Sequence, residues 1–219
     1  MEKMRVNEIC CCDTGSGDFF GPICVVACYI DNTDWPWLNE LDIMNLDIND
    51  QQQIIAAGSI LKDRLTYSLL LLDNSHYNKM TAAGQKMTKI KTRLYNQAMI
   101  NVMHKIQQPV DKKMIHGFLS PKKYYKNLKH QLLVVSHLTF MADEQGSIGM
   151  KCAKILSMYA HYQYFNNMNK ALKITLPHGC NIKAIETGIT LVNNYGVDIL
   201  QRVCKKNWPN YQQILEKLQ

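Results

Sequence analysis

The sequence predicts an α/β protein: a mixed central sheet of about five strands, flanked by helices and followed by a helical C-terminal tail. Three observations carry that prediction. Short runs rich in Val, Ile, Leu and Cys recur along the first two thirds of the chain. Segments with apolar residues at helical spacing separate them. Beyond about residue 170 only helical patterns remain. The order reads ββ, helix, β, helices, β, helix, β and then helices, and a sheet that begins with a hairpin and continues through helical crossovers is mixed.

The first two strands are "MRVNEICCC" (Met4 to Cys12) and "GPICVVACYI" (Gly21 to Ile30), read as antiparallel and joined by the glycine turn in "DTGSGDFF". "DWPW", with Trp35 and Trp37, reads as a loop after the second strand. "TYSLLLLDN" (Thr66 to Asn74) is a third strand, apolar on both faces and so expected at the centre of a covered sheet. Met87, Ile90, Leu94, Ala98 and Val102 then recur at helical spacing, with Lys89 and Arg93 on another face. "KMIHGFLS" (Lys113 to Ser120) and "LLVVSHLTFM" (Leu132 to Met141) supply the fourth and fifth strands. Between them Ser120 is an N-cap, with Pro121 at the first helical position. A long helix gathers around Ile148, Cys152, Ile155, Leu156 and Tyr159, and after the loop "TLPHGCN" come "IKAIETGITLVNNYG", "VDILQRVCKK" and "NWPNYQQILEKLQ".

Composition narrows the class. With 47% hydrophobic and 20% charged residues in 219, a disordered chain is excluded. A formal net charge of +7 leans toward polyanionic partners, nucleic acid first among them. The chain starts "MEKMRVNEIC", with no apolar leader, and its eight cysteines form no C-x-x-C pair. Cys10, Cys11, Cys12, Cys24 and Cys28 fall in strand-like runs and read as free buried thiols of a reducing compartment; the expected location is cytoplasmic. No uninterrupted apolar run approaches the length of a membrane span, so no membrane partner is expected.

Chemistry in such sheets gathers at strand ends. The first strand ends at Cys12-Asp13, the fourth carries His116, and Asp143 and Glu144 follow the fifth. Taken singly, each has a plain structural reading: a buried strand thiol, a turn residue, a core histidine, and acids favoured by a helix dipole.

Taken together, they fall where a known family places its acids. "CDTGSGDFFGP" (Cys12 to Pro22) resembles the ribonuclease HIII branch of the type 2 RNase H family, whose motif reads Asp-Glu-Val-Gly-Thr-Gly-Asp-Tyr-Phe-Gly-Pro. "YNKMTAAGQKMTKIKTRLYN" looks like the family's Gly-x-Asn-x-Asn-x-x-Lys-Ala helix entry, with Gly84, Lys91 and Asn96 matching. "IHGFLSPKKYY", "EQGSIGMKCAKILSMYA", "TLPHGCN" and "CKKNWPN" are similar to later family segments, in the right order. The resemblance implies an RNase H-like fold in a single domain over 1–219, with an α/β core to about residue 170 and a helical extension over 171–219. The first motif begins at Ile9, so the expectation is the catalytic domain alone, without the family's N-terminal hybrid-binding domain.

The resemblance further implies cleavage of the RNA strand of an RNA/DNA hybrid by two divalent ions, Mg²⁺ or Mn²⁺, held by four carboxylates. Carried over residue by residue, the catalytic positions are Cys12, Asp13, His116 and Glu144, of which Asp13 and Glu144 remain to hold metal. Only Glu144 matches outright. Asp13 retracts a glutamate's carboxylate by one methylene, Cys12 offers a soft and mostly neutral thiol, and His116 an imidazole. Four formal negatives become two. Hydrolysis is therefore expected to be weak, altered in metal preference or lost, with a divalent metal as cofactor if active and otherwise none. A softer Zn²⁺ or Mn²⁺ site from the same four residues ranks below that, and Asp18 or Asp143 could replace a lost acid only if the backbone allowed it, since a slip of one residue reverses the face.

On the binding side, Gly15, Ser16 and Gly17 keep the tripeptide that in the family lies along the hybrid's minor groove and senses 2′-hydroxyls. Lys86, Lys91 and Asn96 are the accompanying candidate contacts, the lysines through phosphate. The second class of function is a non-catalytic RNase H-fold scaffold for nucleic acid or a protein partner, anchored by Trp35 and Trp37.

Overall fold

The computed structural model describes residues 6–143 and 146–218. In chain order the elements are β1 (Glu8–Thr14), β2 (Ile23–Ile30), α1 (Trp35–Glu40), α2 (Gln51–Arg64), β3 (Thr66–Leu72), α3 (Asn74–Ala82) and α4 (Met87–Met103). Then follow β4 (Lys112–His116), α5 (Pro121–Asn127), β5 (Thr139–Met141), α6 (Ile148–Leu172), α7 (Ile182–Tyr195), α8 (Ile199–Val203) and α9 (Pro209–Lys217). The expected mixed sheet, flanking helices and helical tail are all present.

The five strands run in the order β3-β2-β1-β4-β5. β1 is parallel to β4, with Cys11 opposite Ile115, and β4 is parallel to β5, with Ile115 opposite Phe140 and His116 opposite Met141. β1 lies at the centre and is buried from Glu8 to Asp13, and β2 beside it is buried throughout. Strands covered on both faces can be apolar without alternation, which is why both read so clearly in the sequence.

Three expectations need correcting. The Thr66 strand is not central: β3 is the sheet's edge, with Leu69 and Leu71 exposed, so its leucine run reflects strand-forming residues and not double coverage. It stops at Leu72 because Asp73 caps α3, its carboxylate accepting the His76 amide at 2.8 Å. The fifth strand keeps only the last three residues of its predicted span. Leu132, Leu133 and Val134 are exposed, and Asn96 holds their segment as a loop by donating to the Leu133 carbonyl (2.8 Å) and accepting the Val135 amide (2.9 Å). Finally, "DWPW" is not a loop but opens α1, with Pro36 in the first turn. Trp37 lies under the Arg64 guanidinium at 4.0 Å and donates its indole N–H to Asp34, so it packs against its own helix layer.

The described chain forms two compact units: Met1–Asp13, Val25–Leu70 and Thr88–Ala160 in one, Thr14–Cys24, Leu71–Met87 and His161–Gln219 in the other. In the first, the buried carboxylate of Glu8 at the start of β1 accepts from the Ser147 hydroxyl (2.7 Å) and the Gly149 amide (2.8 Å). That satisfies donors in the first turn of α6 and seats it on β1. The second unit has its own core, in which Phe19, Phe20, Phe165, Leu176, Leu191, Leu200 and Ile214 pack together. There the buried Lys205 ammonium donates to the carbonyls of Asp18 (2.6 Å) and Gly21 (2.9 Å). Burial brings its pKa down to about 8.

Candidate functional site

Because β1, β4 and β5 are parallel, their carboxyl ends lie along one margin of the sheet. The register sets Cys10 opposite Met114, and Cys12 and His116 each lie two residues further along their strands. Strand side chains alternate with a period of two, so register partners share a face and sequence neighbours do not. Cys10 and Cys12 point to the α6 side, where the Cys10 sulfur lies 3.7 Å from Ser147 Oγ and the Cys12 thiol donates to the Met150 carbonyl at 3.6 Å. His116 belongs to that face by register.

Asp13 turns the other way. Its Oδ1 accepts the Tyr95 hydroxyl at 2.5 Å and lies 2.8 Å from the Lys91 ammonium. The pair is buried, with side chains 4% and 9% exposed, and Lys91 is also 4.3 Å above the Phe118 ring. Burial first, and then the Asp13 charge, push the Tyr95 hydroxyl well above its ordinary range, so it acts as a standing donor. The sequence placed Lys91 at a phosphate and Asn96 at nucleic acid. In the structure Lys91 faces Asp13 in the interior, and Asn96 is buried with its amide on the 133–135 loop. Helical spacing could not reveal this, because the face that meets the end of β1 is known only once the helix has docked.

Glu144 lies outside the described residues, and Asp143 beside it is exposed. Among the described residues, the strand ends therefore present a buried thiol, an imidazole and a carboxylate whose Oδ1 already faces an ammonium. A pair of hard divalent cations needs converging carboxylate oxygens without a competing positive charge. This set does not fit that pair.

The second unit holds the glycine tripeptide. Gly15 has φ +87°, and a Cβ there would stand 2.1 Å from the Pro22 carbonyl oxygen and 2.7 Å from the His161 ring, so only glycine fits. Gly17 is exposed with open space around it, Ser16 is half-buried and Lys86 is exposed. Asp18, in the sequence a motif residue and a conditional stand-in for a lost acid, has its own partners. Its Oδ1 accepts the Gly179 amide at 2.6 Å, while Oδ2 lies 3.4 Å from His161 Nε2 and 3.7 Å from His178 Nδ1. Burial favours the protonated acid, but His178, the Gly179 amide and the facing imidazoles outweigh it and hold the carboxyl below its ordinary range. No spacing in the sequence links residues 18, 161 and 178.

Residues 12–211 match the family model described as Ribonuclease HII. The chain is 31% identical over 202 residues to the ribonuclease HIII of Bacillus licheniformis, covering 91% of this chain and 64% of that protein. It is 30% identical over 203 residues to the ribonuclease HIII of Bacillus subtilis, again covering 91% and 64%. The chain thus spans 64% of the length of these curated relatives. Among solved structures, Bst-RNase HIII in complex with Mn²⁺ matches with a TM-score of 0.90 at 21% identity, over 97% of this chain and 70% of that one. The ribonuclease H2 of Pyrococcus horikoshii matches at 0.75 and 14% identity, over 96% and 98%. Those two likenesses show the RNase H-like fold.

Proposed function

Because the chain belongs to the ribonuclease HII family, we propose that it binds RNA/DNA hybrids and that its Mg²⁺-dependent cleavage of the RNA strand is weak or lost. The observation that carries this reading is the partition of faces at the strand ends. Cys12 and His116 share one side, where the family resemblance calls for charged oxygens, and Asp13 is turned to Lys91 on the other. A thiol with a reference pKa of about 8.5 adds little negative charge at neutral pH, and sulfur is a poor partner for Mg²⁺. The binding half rests on parts that do not need metal. Gly17 and Lys86 stay open at the surface, and Gly15 keeps the backbone conformation that the tripeptide requires. Minor-groove recognition through backbone and 2′-hydroxyl contacts reads helix shape and is independent of hydrolysis. Seven of the eight cysteines are buried free thiols, which accords with action in the reducing cytoplasm. No helix among the described residues is long and apolar enough to cross a membrane.

The test has two arms. Labelled RNA/DNA hybrid and duplex DNA are titrated across a salt series; tighter binding of the hybrid at every salt is expected, and equal affinity overturns the hybrid reading. Cleavage is assayed with Mg²⁺ and with Mn²⁺ for the parent and for the combined Cys12→Asp, Asp13→Glu, His116→Asp variant. Little Mg²⁺-dependent cleavage by the parent and a clear gain in the variant are expected. Vigorous parental cleavage with Mg²⁺ refutes the account of the strand ends.

A further inference from the structure

We infer that Asp18, His161 and His178, in the second unit, form a binding site for a single Zn²⁺ ion, independent of the hybrid-binding reading. The three side chains come from the Gly15–Pro22 loop, from α6 and from the loop before α7, and their ligand atoms all lie within 4.8 Å of one another. Two imidazole nitrogens and one carboxylate oxygen are a donor set suited to borderline Zn²⁺ and ill suited to Mg²⁺. The two separations from Asp18 agree. Tetrahedral bonds of about 2.0–2.1 Å place ligand atoms roughly 3.3–3.4 Å apart. Asp18 Oδ2 stands 3.4 Å from His161 Nε2 and 3.7 Å from His178 Nδ1. Both separations are long for hydrogen bonds and close to the edges of such a tetrahedron.

The surroundings hold each ligand in place. The Gly179 amide engages Oδ1 of Asp18 at 2.6 Å and leaves Oδ2 to the imidazoles, the kind of outer contact that orients a metal carboxylate. The His178 ring stacks on Phe165 at 4.5 Å with 17° between planes, and His161 meets the same ring at 5.0 Å. The motif glycines reserve the space: a Cβ on Gly15 would reach 2.7 Å from His161 Nε2, and one on Gly21 would reach 2.4 Å from the Phe165 ring. Lys205 fastens the loop from below through the Asp18 and Gly21 carbonyls. His161 is 1% exposed and His178 51%, so the ion enters from the His178 side and takes water as its fourth ligand there.

The test uses the full chain, treated with EDTA and exchanged into chelator-free buffer, then titrated with Zn²⁺ by calorimetry and with Co²⁺ by absorption. One saturable equivalent is expected, with cobalt bands of tetrahedral N/O coordination and no thiolate charge-transfer band. Loss of an outer-sphere partner typically costs 10–100-fold, so His178→Ala, which removes a ligand at a half-exposed position, should weaken binding by about 100-fold or more. His161→Phe should do the same while keeping a ring in the seat. Cys180→Ser, at the exposed cysteine two residues after His178 in the same loop, should bind as the parent does. Binding that is absent, multiple and unsaturable, retained in His178→Ala, or lost in Cys180→Ser overturns the assignment. No nucleic acid enters the experiment, so its outcome is separate from that of the hybrid assay.

Discussion

Asp13 and Asp18 belong to one short motif, yet their surroundings oppose each other. At the end of β1, a single oxygen of Asp13 receives both the Lys91 ammonium and the Tyr95 hydroxyl inside the first unit. Within the second unit, one oxygen of Asp18 is held by a backbone amide while the other faces two imidazoles. The first arrangement neutralises an acid internally and leaves little for a hard cation. The second presents an acid among neutralisable nitrogens, an arrangement that a borderline cation can complete. An aspartate in a motif is therefore not yet a functional acid: the group opposite it decides which chemistry it can enter.

The largest effect expected from breaking this contrast lies at Asp13. Lys91→Met strips a buried carboxylate of its counter-ion, which should cost about 3–5 kcal/mol in urea unfolding. Adding Asp13→Asn to it should recover most of that loss. If the two single changes simply add, the pair is not coupled and Lys91 must be assigned another role.

A middle-sized effect distinguishes the glycines. Gly15→Ala forces a positive-φ backbone and a Cβ contact with carbonyl oxygen and the His161 ring, for roughly 2–4 kcal/mol. Gly17→Ala meets nothing within 4 Å and should stay within about 0.5 kcal/mol. Equal costs at the two positions would remove the reason given for the seat of His161.

The smallest effect is a pH dependence at Asp18. Its carboxyl is held below the ordinary value in the folded state, so the unfolded chain binds its proton more readily. The stabilisation is complete above the ordinary aspartate range near pH 3.9 and declines as pH falls toward the folded value. The advantage of the parent over Asp18→Asn should therefore shrink on acidification below about pH 4. A constant gap in acid unfolding curves would mean that the imidazoles and the Gly179 amide do not act on this carboxyl.

Much of the architecture was legible without coordinates. The uninterrupted Ile, Val and Cys runs of β1 and β2 mark strands covered on both faces, and Ser120-Pro121 marks the start of α5. The long periodic segments of α4 and α6 could hardly be anything but helices. Where the reading failed, a competing contact outweighed local preference. "LLVVS" has strand-forming residues, but Asn96 takes up backbone groups at 133 and 135, and the leucines stay in solvent. The leucines of β3 signalled a strand correctly while saying nothing of its place at the edge.

The amino-acid order alone determined the class of fold and the succession of most of its elements, and it put Cys12 and His116 near strand ends, because these depend on local periodicity and residue identity. Which face each of these side chains occupies, the pairing of Lys91 with Asp13, and the meeting of residues 18, 161 and 178 were decided only by tertiary structure. The physical reason is that charge and ligation act over a few ångströms in space, and distances along the chain do not encode them until the sheet register and helix docking bring those atoms together.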